Sequence, residues 1–398
     1  MRILFITPIL VPPILWAGSH RVVYDISKAL SKRGHEVIVL TSDIINIKEK
    51  KKINSKIDTC NHVKIVRNKI VNFKLTEITG MTISTDIMAF LKKALKDFDV
   101  VHAHEYRTYE NIVLHHYAKK YDITYLLQAH GSLRRDDPKR SLKWVYDIFF
   151  GYSLLKDASK VIALTPTEAE QYMSMGVPKE KIAIIPNGID LSEYAELPPK
   201  GSFKKKFNIP EDRKIILYLG RIHKIKGVDF LIRAYAYLKN KMDFKDAVLV
   251  IVGPDDGYLS EVKSLMHDLS VSNSVLFTGL LSEKDKIKAC TDASIVAYLG
   301  PFEPYGLVSL EAAACETPVI VAQVTPMAEI VNRGKFGFSV KYGDVISLAS
   351  MLHRVLSDKE LTENLGRNGR RYVFNNFDWS KITEKYEQVY KEVTNDKR

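Results

Sequence analysis

Residues 301–320, "PFEPYGLVSLEAAACETPVI", set Glu303 ahead of Pro304 and Gly306 and place Glu311 further on, among Ala312, Ala313 and Ala314. One acidic residue at a helix start is ordinary, because it offsets unpaired amides and the positive end of the dipole. Glu311 lies past the first turn, where that explanation does not reach. The run follows "ASIVAYLG", so Glu303 is expected in a strand-to-helix loop, with the helix beginning at Gly306 or Leu307. There the backbone N–H groups of Tyr305, Gly306 and Leu307 would face a ligand, and a phosphate fits such a place without a metal. Glu303 would stand beside it, and Glu311, a turn deeper, would accept hydrogen bonds from ribose hydroxyls.

A second loop points the same way. After "KIILYLG" comes "RIHKIKGVDFLIRAY", which crowds Arg221, His223, Lys224 and Lys226 before Gly227. Cations at a helix N-terminus oppose its dipole, so the loop by itself should gain nothing from them. A bound diphosphate would reverse that penalty, Arg221 giving bidentate hydrogen bonds and Lys226 a point charge. Solvated loop charge is the other reading.

These loops need a frame. Short apolar runs alternate with helical patterns along the chain, the mark of parallel sheets covered by helices on both faces. Strands are expected near "RILFIT", "EVIVLTS", "VKIVRN", "VVHAH", "TYLLQAH", "KVIALT" and "IAIIPNG" in the first half. In the second half they fall near "KIILYLG", "AVLVIVG", "SVLFTG", "ASIVAYLG", "PVIVAQ" and "GFSVK". Between them "LSEYAELPPKGSFKKKFNIPEDRK", with Pro198, Pro199, Gly201 and Pro210, reads as a linker. A chain of 398 residues is too long for one core, so each half reads as its own doubly wound sheet, and two such sheets facing one another would enclose a cleft. "FDWSKITEKYEQVYKEV" carries Ile382, Tyr386, Val389, Tyr390 and Val393 near helical spacing and predicts an amphipathic last helix.

Composition excludes several classes. The apolar opening "MRILFITPILVPPILW" is broken by Pro8, Pro12 and Pro13 and fits a buried strand and loop better than a secretory signal. No later stretch is apolar enough for a membrane span. Cys60, Cys290 and Cys315 form no metal-spaced pair, which suits a reducing cytoplasm. "DFD" at 97–99 resembles a metal-binding Asp-x-Asp, but it precedes a strand and reads as a helix end; His102 and His104 alternate along that strand with no further ligand to complete a zinc site. Residues 1–190 carry 29 Lys+Arg against 20 Asp+Glu, hence +9 of the total +12. Nine basic residues fall in 48–74 against only Glu49 and Asp58. That stretch reads as a solvated surface or as attraction to an anionic partner, a membrane face or a phosphate-bearing acceptor. Nucleic acid is disfavoured, since Phe73 is its one aromatic residue. "RSLKWVYDIFFGYSLLKDA" is expected as a helix packed on the first sheet, although its apolarity also suits a peripheral membrane contact.

"GSHRVVYDISKALSKRGHEVIVLT", "LQAHGS", "IIPNGID", "GRIHKIKG" and "PFEPYGLVSLEAAACETPVI", in this order, resemble the successive signatures of the retaining glycosyltransferases of family 4 (group 1). The resemblance implies the GT-B fold: α/β, with two facing Rossmann-like doubly wound parallel-sheet domains and an interdomain cleft. Residues 1–195 would bind the acceptor and 196–377 the nucleotide-sugar donor, with a last helix at about 378–398 packing back on the first domain. It implies that Arg221 and Lys226 hold the diphosphate, that Glu303 stands beside the transferred sugar, and that Glu311 holds the ribose. Tyr305, Gly306 and Leu307 line the phosphate, and Gly18 belongs to a loop against it. His130 would lie near the reacting carbon, although the residue alone fits a structural histidine equally well. Asn187 and Gly188 would form the hinge, where a plain turn explains them as well.

The implied reaction moves a hexosyl group from a UDP- or GDP-sugar to a hydroxyl with retention and no metal or other cofactor. The basic first half, rather than the resemblance, suits a glycan or lipid-linked anionic precursor as acceptor, in polysaccharide biosynthesis, and the location is expected to be cytoplasmic, with or without peripheral contact at an anionic inner membrane face. Departures from the family pattern are Ser19 and His20 after Gly18, Glu316 where glycine is usual, and the missing paired glycine in "AQVTPMAEIV", although Glu329 is kept. An epimerase of nucleotide sugars or a non-catalytic sugar or nucleotide binder are the rival functions.

Overall fold

The computed structural model describes residues 1–10, 18–46, 49–60, 62–134 and 140–395. The segment through Pro12 and Pro13, Lys48 of the basic stretch and the last three residues of the expected C-terminal helix lie outside them. The chain divides into two compact units, Met1–Gly188 with Trp379–Arg398, and Ile189–Asp378.

The first unit holds β1 (Arg2–Ile6), β2 (Glu36–Ser42), β3 (Ile44–Asn46), β4 (Lys51–Lys52), β5 (Ile57–Cys60), β6 (Val63–Asn68), β7 (Val100–His104), β8 (Leu126–Gln128), β9 (Lys160–Ala163) and β10 (Ile182–Ile184). Its sheet runs β10-β9-β8-β7-β1-β2-β6-β5, parallel except for β5, and β3 pairs with β4 in a separate hairpin. The second unit holds β11 (Lys214–Leu219), β12 (Ala247–Val252), β13 (Val275–Gly279), β14 (Ile295–Tyr298), β15 (Val319–Ala322) and β16 (Gly337–Val340), in the order β13-β12-β11-β14-β15-β16, all parallel. The central strands are apolar along their length because helices bury both faces.

Strand order places the chemistry. In each sheet the chain leaves its first strand to one side and later returns to the other, so β1 lies beside β7 and β11 beside β14. Such reversal points hold the crevices in which ligands sit, beyond the carboxyl ends of the strands. The loops after β11 and β14 are the two that carry Arg221, Lys226 and Glu303.

The structure overturns one expectation, the linker, and completes two others. Part of the basic stretch is the β3–β4 hairpin and antiparallel edge strand β5, with polar or exposed side chains that hide a strand pattern. The Pro- and Gly-rich stretch after Gly188 is built into the second unit and is not an extended linker. Phe203 and Tyr194 are buried, the Asp292 carboxylate accepts from the amides of Gly201, Phe203 and Lys204, and Arg370 donates to the carbonyls of Tyr194 and Ala195. The apolar segment near 141–159 packs through Tyr146, Asp147, Gly151, Leu154 and Leu155, but turns most of its large apolar side chains outward.

The last helix, Trp379–Asn395, packs within the first unit against helix Ser19–Lys32. Tyr386 Oη donates to Gln128 Oε1 (3.1 Å), and Tyr390 Oη lies 2.8 Å from His102 Nδ1. Glu387 accepts from Arg33 Nε at 2.8 Å and lies 2.9 Å from His35 Nε2. Hydrogen bonding from Arg33, then from His35, holds its carboxyl at about 2. A carboxyl depressed in the folded state stabilises above its unfolded pKa and loses that contribution as pH falls through the folded value. Glu387→Gln is therefore expected to cost about 1 kcal/mol at pH 7, discounted for solvent at the pair's edge. In urea melts the gap to the parent should close between about pH 4.5 and about pH 2; coincident melts at pH 7 would contradict the assignment.

Candidate active site

In the second unit the chain after β11 forms a tight turn at Lys224–Lys226 and enters helix Val228–Asn240 through Gly227. Gly227 has φ +71°, and a Cβ there would stand 2.8 Å from the Leu299 carbonyl oxygen, so glycine lets this loop press against the end of β14. That approach brings Lys226 onto Glu303, whose carboxylate it pairs with directly. The other Glu303 oxygen accepts from Tyr298 Oη at 2.5 Å. Gly306, at φ +87°, lies over the Tyr298 ring and begins helix Leu307–Ala314, while Tyr305 is buried. Arg221 pairs with Asp256 from the loop after β12. Glu311, on the buried side of its helix, accepts from Lys286 Nζ at 3.0 Å, and Lys286 also meets Glu283 at 2.6 Å.

The structure thus brings Arg221, Lys226, Glu303, Tyr305, Gly306, Leu307 and Glu311 to one end of one sheet. It also revises an argument from sequence: the loop cations are not uncompensated, because Asp256 and Glu303 partner them. Burial, helped by the Arg221 charge, pulls Lys226 down to about 8, and the Asp256 carboxylate works against that shift. Tyr298, Asp256 and Lys286 were not singled out from sequence. Tyr298 carried a signal, as the polar-tipped last residue of a strand; Asp256 and Lys286 reach the cluster only through the fold.

Gly227→Ala is expected to cost about 2 kcal/mol, from the left-handed backbone and the contact with Leu299, and to weaken nucleotide binding by shifting Lys226. Thermal melting and a nucleotide titration check both halves; unchanged values in both would contradict the packing argument.

Gly18 and His130 lie in the first unit. Gly18, at φ +58°, starts helix Ser19–Lys32, and Ser19 hydrogen-bonds the half-buried Glu105 just after β7. Burial pushes Glu105 up to about 7, against hydrogen bonds from Ser19 and Ser132. His130 follows β8 with φ +52°, its Nε2 2.9 Å from His104 Nδ1. Burial, then the neighbouring His20, pulls it to about 3, so its ring is neutral near pH 7. Glu168 fixes the loop, accepting from the amides of Gly131 and Leu164, each at 2.6 Å. His102 and His104 lie tilted against each other with centroids 4.2 Å apart; among the described residues no group of three or more His, Cys, Asp or Glu side chains is placed to hold a metal. Asp97 ends a helical turn, and Asp99 accepts from the Arg2 amide at 2.7 Å.

Two departures from the family pattern acquire a local account. His20 Nδ1 lies 2.7 Å from the Ile9 carbonyl oxygen, which, with the Ser19–Glu105 bond, turns both side chains into the first unit. Glu316 has φ +61°, the backbone glycine favours, and reaches Arg370 Nε at 3.7 Å. Glu329 pairs with Arg333 one turn along its helix.

Two parallel Rossmann-like sheets, one bearing a Lys–Glu pair and a helix start at its reversal point, define an α/β protein of the GT-B class. Residues 199–372 match the family model of group 1 glycosyl transferases, and residues 16–193 that of glycosyltransferase family 4. The chain belongs to the group 1 glycosyltransferases. An uncharacterized glycosyltransferase of Methanocaldococcus jannaschii is 27% identical over 96% of this chain and 95% of its own. N-acetyl-alpha-D-glucosaminyl L-malate synthase of Bacillus anthracis is 28% identical over 61% of this chain and 62% of its own. Among solved structures, sucrose-phosphate synthase of Thermosynechococcus elongatus superposes with a TM-score of 0.80 at 22% identity, over 98% of each chain. Anabaena HepE, solved with UDP-glucose, gives 0.78 at 19% identity, over 98% of this chain and all of its own.

Proposed function

We propose that this glycosyltransferase moves a hexosyl group from a UDP- or GDP-sugar to a hydroxyl acceptor with retention of configuration and without a metal ion. The observation that carries the reading is the Lys226–Glu303 pair set on Tyr298 ahead of helix Leu307–Ala314. In the reaction the bond between the anomeric carbon and the diphosphate oxygen breaks, the acceptor oxygen bonds to that carbon, and the acceptor proton passes to the leaving diphosphate. Negative charge grows on the diphosphate. Lys226, Arg221 and the amides from Tyr305 to Leu307 are the groups that would hold it. Glu303, released by Lys226 as that lysine turns to phosphate, accepts from the sugar hydroxyls, and Glu311 from the ribose. His130, neutral, offers a hydrogen bond to the sugar, and Gly18 leaves room for phosphate. Residues 1–188 would serve the acceptor and 189–378 the donor. The UDP-glucose bound by the structural neighbour HepE supports a nucleotide-sugar donor. The positive excess of residues 1–190 supports an anionic acceptor, such as a lipid-linked glycan precursor in a cytoplasmic pathway.

The test is incubation with UDP-glucose and with GDP-glucose, with a hydroxyl acceptor series, in EDTA, followed by NMR of the products. An α-linked product from an α-linked donor is expected. A β-linked product, or turnover that requires a divalent cation, would overturn the corresponding part of the reading; interconversion of epimers without transfer would favour an isomerase.

A further inference from the structure

Helix Arg140–Tyr146 continues through Asp147–Gly151 as a wider turn into helix Tyr152–Asp157. Its inward side is polar at the centre: Asp147 is fully buried and held bidentately by Arg107, at 2.9 and 2.7 Å. Tyr146, Leu154 and Leu155 pack inward beside it, yet the outward side is apolar as well, with Trp144, Val145, Ile148, Phe149 and Tyr152 all exposed, Phe149 by 71%. A surface helix ordinarily turns a polar face to water, and exposed apolar side chains of this size along one segment mark an interaction face.

A second face lies nearby. Helix Phe73–Thr79 exposes Leu75 and Ile78, and Val71 precedes it, also exposed. The two segments meet at the start of helix Tyr109–Tyr121: Thr82 hydrogen-bonds Glu110, and Tyr146 Oη donates to the Thr108 carbonyl at 3.0 Å. Exposed Lys69 and Lys74 flank the second face and Lys156 the first; the exposed acids are Glu77 on the second helix and Asp157 at the end of the first, the latter paired with Lys119.

We infer that these two apolar faces with their lysines are a docking surface for an anionic lipid bilayer. Apolar side chains including Trp and Tyr, beside exposed lysines, are the pattern of segments that lie in a membrane interface. Charge selects the occupant. A second copy on the same face would set the lysines of each chain against those of the other across a two-fold axis, whereas an anionic surface complements them. No helix among the described residues is long and apolar enough to cross a membrane, so contact is from one side. The inference rests on the reading above only in supplying a reason for a lipid-linked acceptor.

The test uses the full chain and co-sedimentation with vesicles of phosphatidylcholine alone and with phosphatidylglycerol added. Binding is expected on the anionic vesicles and should fall about tenfold or more in Lys69→Glu/Lys74→Glu and in Trp144→Glu/Phe149→Glu. These side chains are exposed, so melting temperatures should hold. As a check that needs no charge change, tryptophan emission of the parent should be quenched by brominated phosphatidylglycerol, and less so in Trp144→Phe. No sedimentation, binding indifferent to phosphatidylglycerol, or variants that bind like the parent would overturn the inference. So would a concentration-dependent dimer abolished in Trp144→Glu/Phe149→Glu without vesicle binding, which would assign the face to a second copy. UDP titration on the same preparation separates the claims: nucleotide binding without vesicle binding removes only this one, and the reverse removes only the donor reading.

Discussion

Lys226→Ala is expected to lower kcat/KM for the nucleotide sugar by about 10²–10³-fold or more, the cost of one preorganised group aimed at developing charge. Two effects combine. The diphosphate loses a nearly buried cation, and Glu303, which pairs with that cation in the free protein, is left as a carboxylate facing phosphate. Lys226→Arg tests charge against shape and should recover part of the loss. The same lysine sets a pH dependence. Its free-protein pKa is about 8, and a bound diphosphate favours the charged form, so binding above that pH takes up a proton. Above the terminal phosphate's own titration at about pH 6, UDP affinity should be flat to about pH 8 and weaken beyond it, by up to about tenfold per unit, while Lys226→Arg, charged throughout, should stay flat over that range. Steady-state kinetics and titrations across pH check this; a variant within about threefold of the parent would remove Lys226 from the reaction.

The second large effect is at Glu311. Glu311→Ala is expected to raise the nucleotide Kd about 10–100-fold, because hydrogen bonds to a charged acceptor contribute about 1.5–3 kcal/mol. Its partner Lys286 keeps Glu283 on its own helix, which limits the effect on folding. Pyrophosphate has no ribose, so the variant should bind it like the parent. Equal losses for UDP and pyrophosphate would show that Glu311 acts on the phosphate site or on the fold, and no loss for UDP would remove it from the site.

How much of this was legible depended on where partners come from. The central strands could be read because each is a short apolar run buried on both faces. Strand β5, one side polar and at a sheet edge, and the β3–β4 hairpin lack that pattern. The stretch after Gly188 has a linker's composition, yet Tyr194 and Phe203 anchor it, and buried side chains so widely spaced leave no periodic trace. In the site, Glu303, Gly306 and Glu311 were legible because they share one loop and helix, whereas Asp256, Tyr298 and Lys286 arrive from separate elements. The segment near 141–159 is helical and packed as its pattern predicts, but which side faces out could not be read, for a physical reason. Apolarity gives the amount of surface to be covered, and the buried Asp147–Arg107 pair decides which side faces in.

The central claim is a metal-independent nucleotide diphosphate site centred on Arg221, Lys226 and the Glu303–Glu311 stretch. The most direct measurement is calorimetric titration of the purified protein with UDP, GDP and ADP, in EDTA and then in magnesium, repeated on Arg221→Ala. One nucleotide should bind in EDTA, with little change in magnesium, and binding should be lost in the variant. No binding to any of the three, or binding that needs magnesium and survives Arg221→Ala, would contradict the site as drawn.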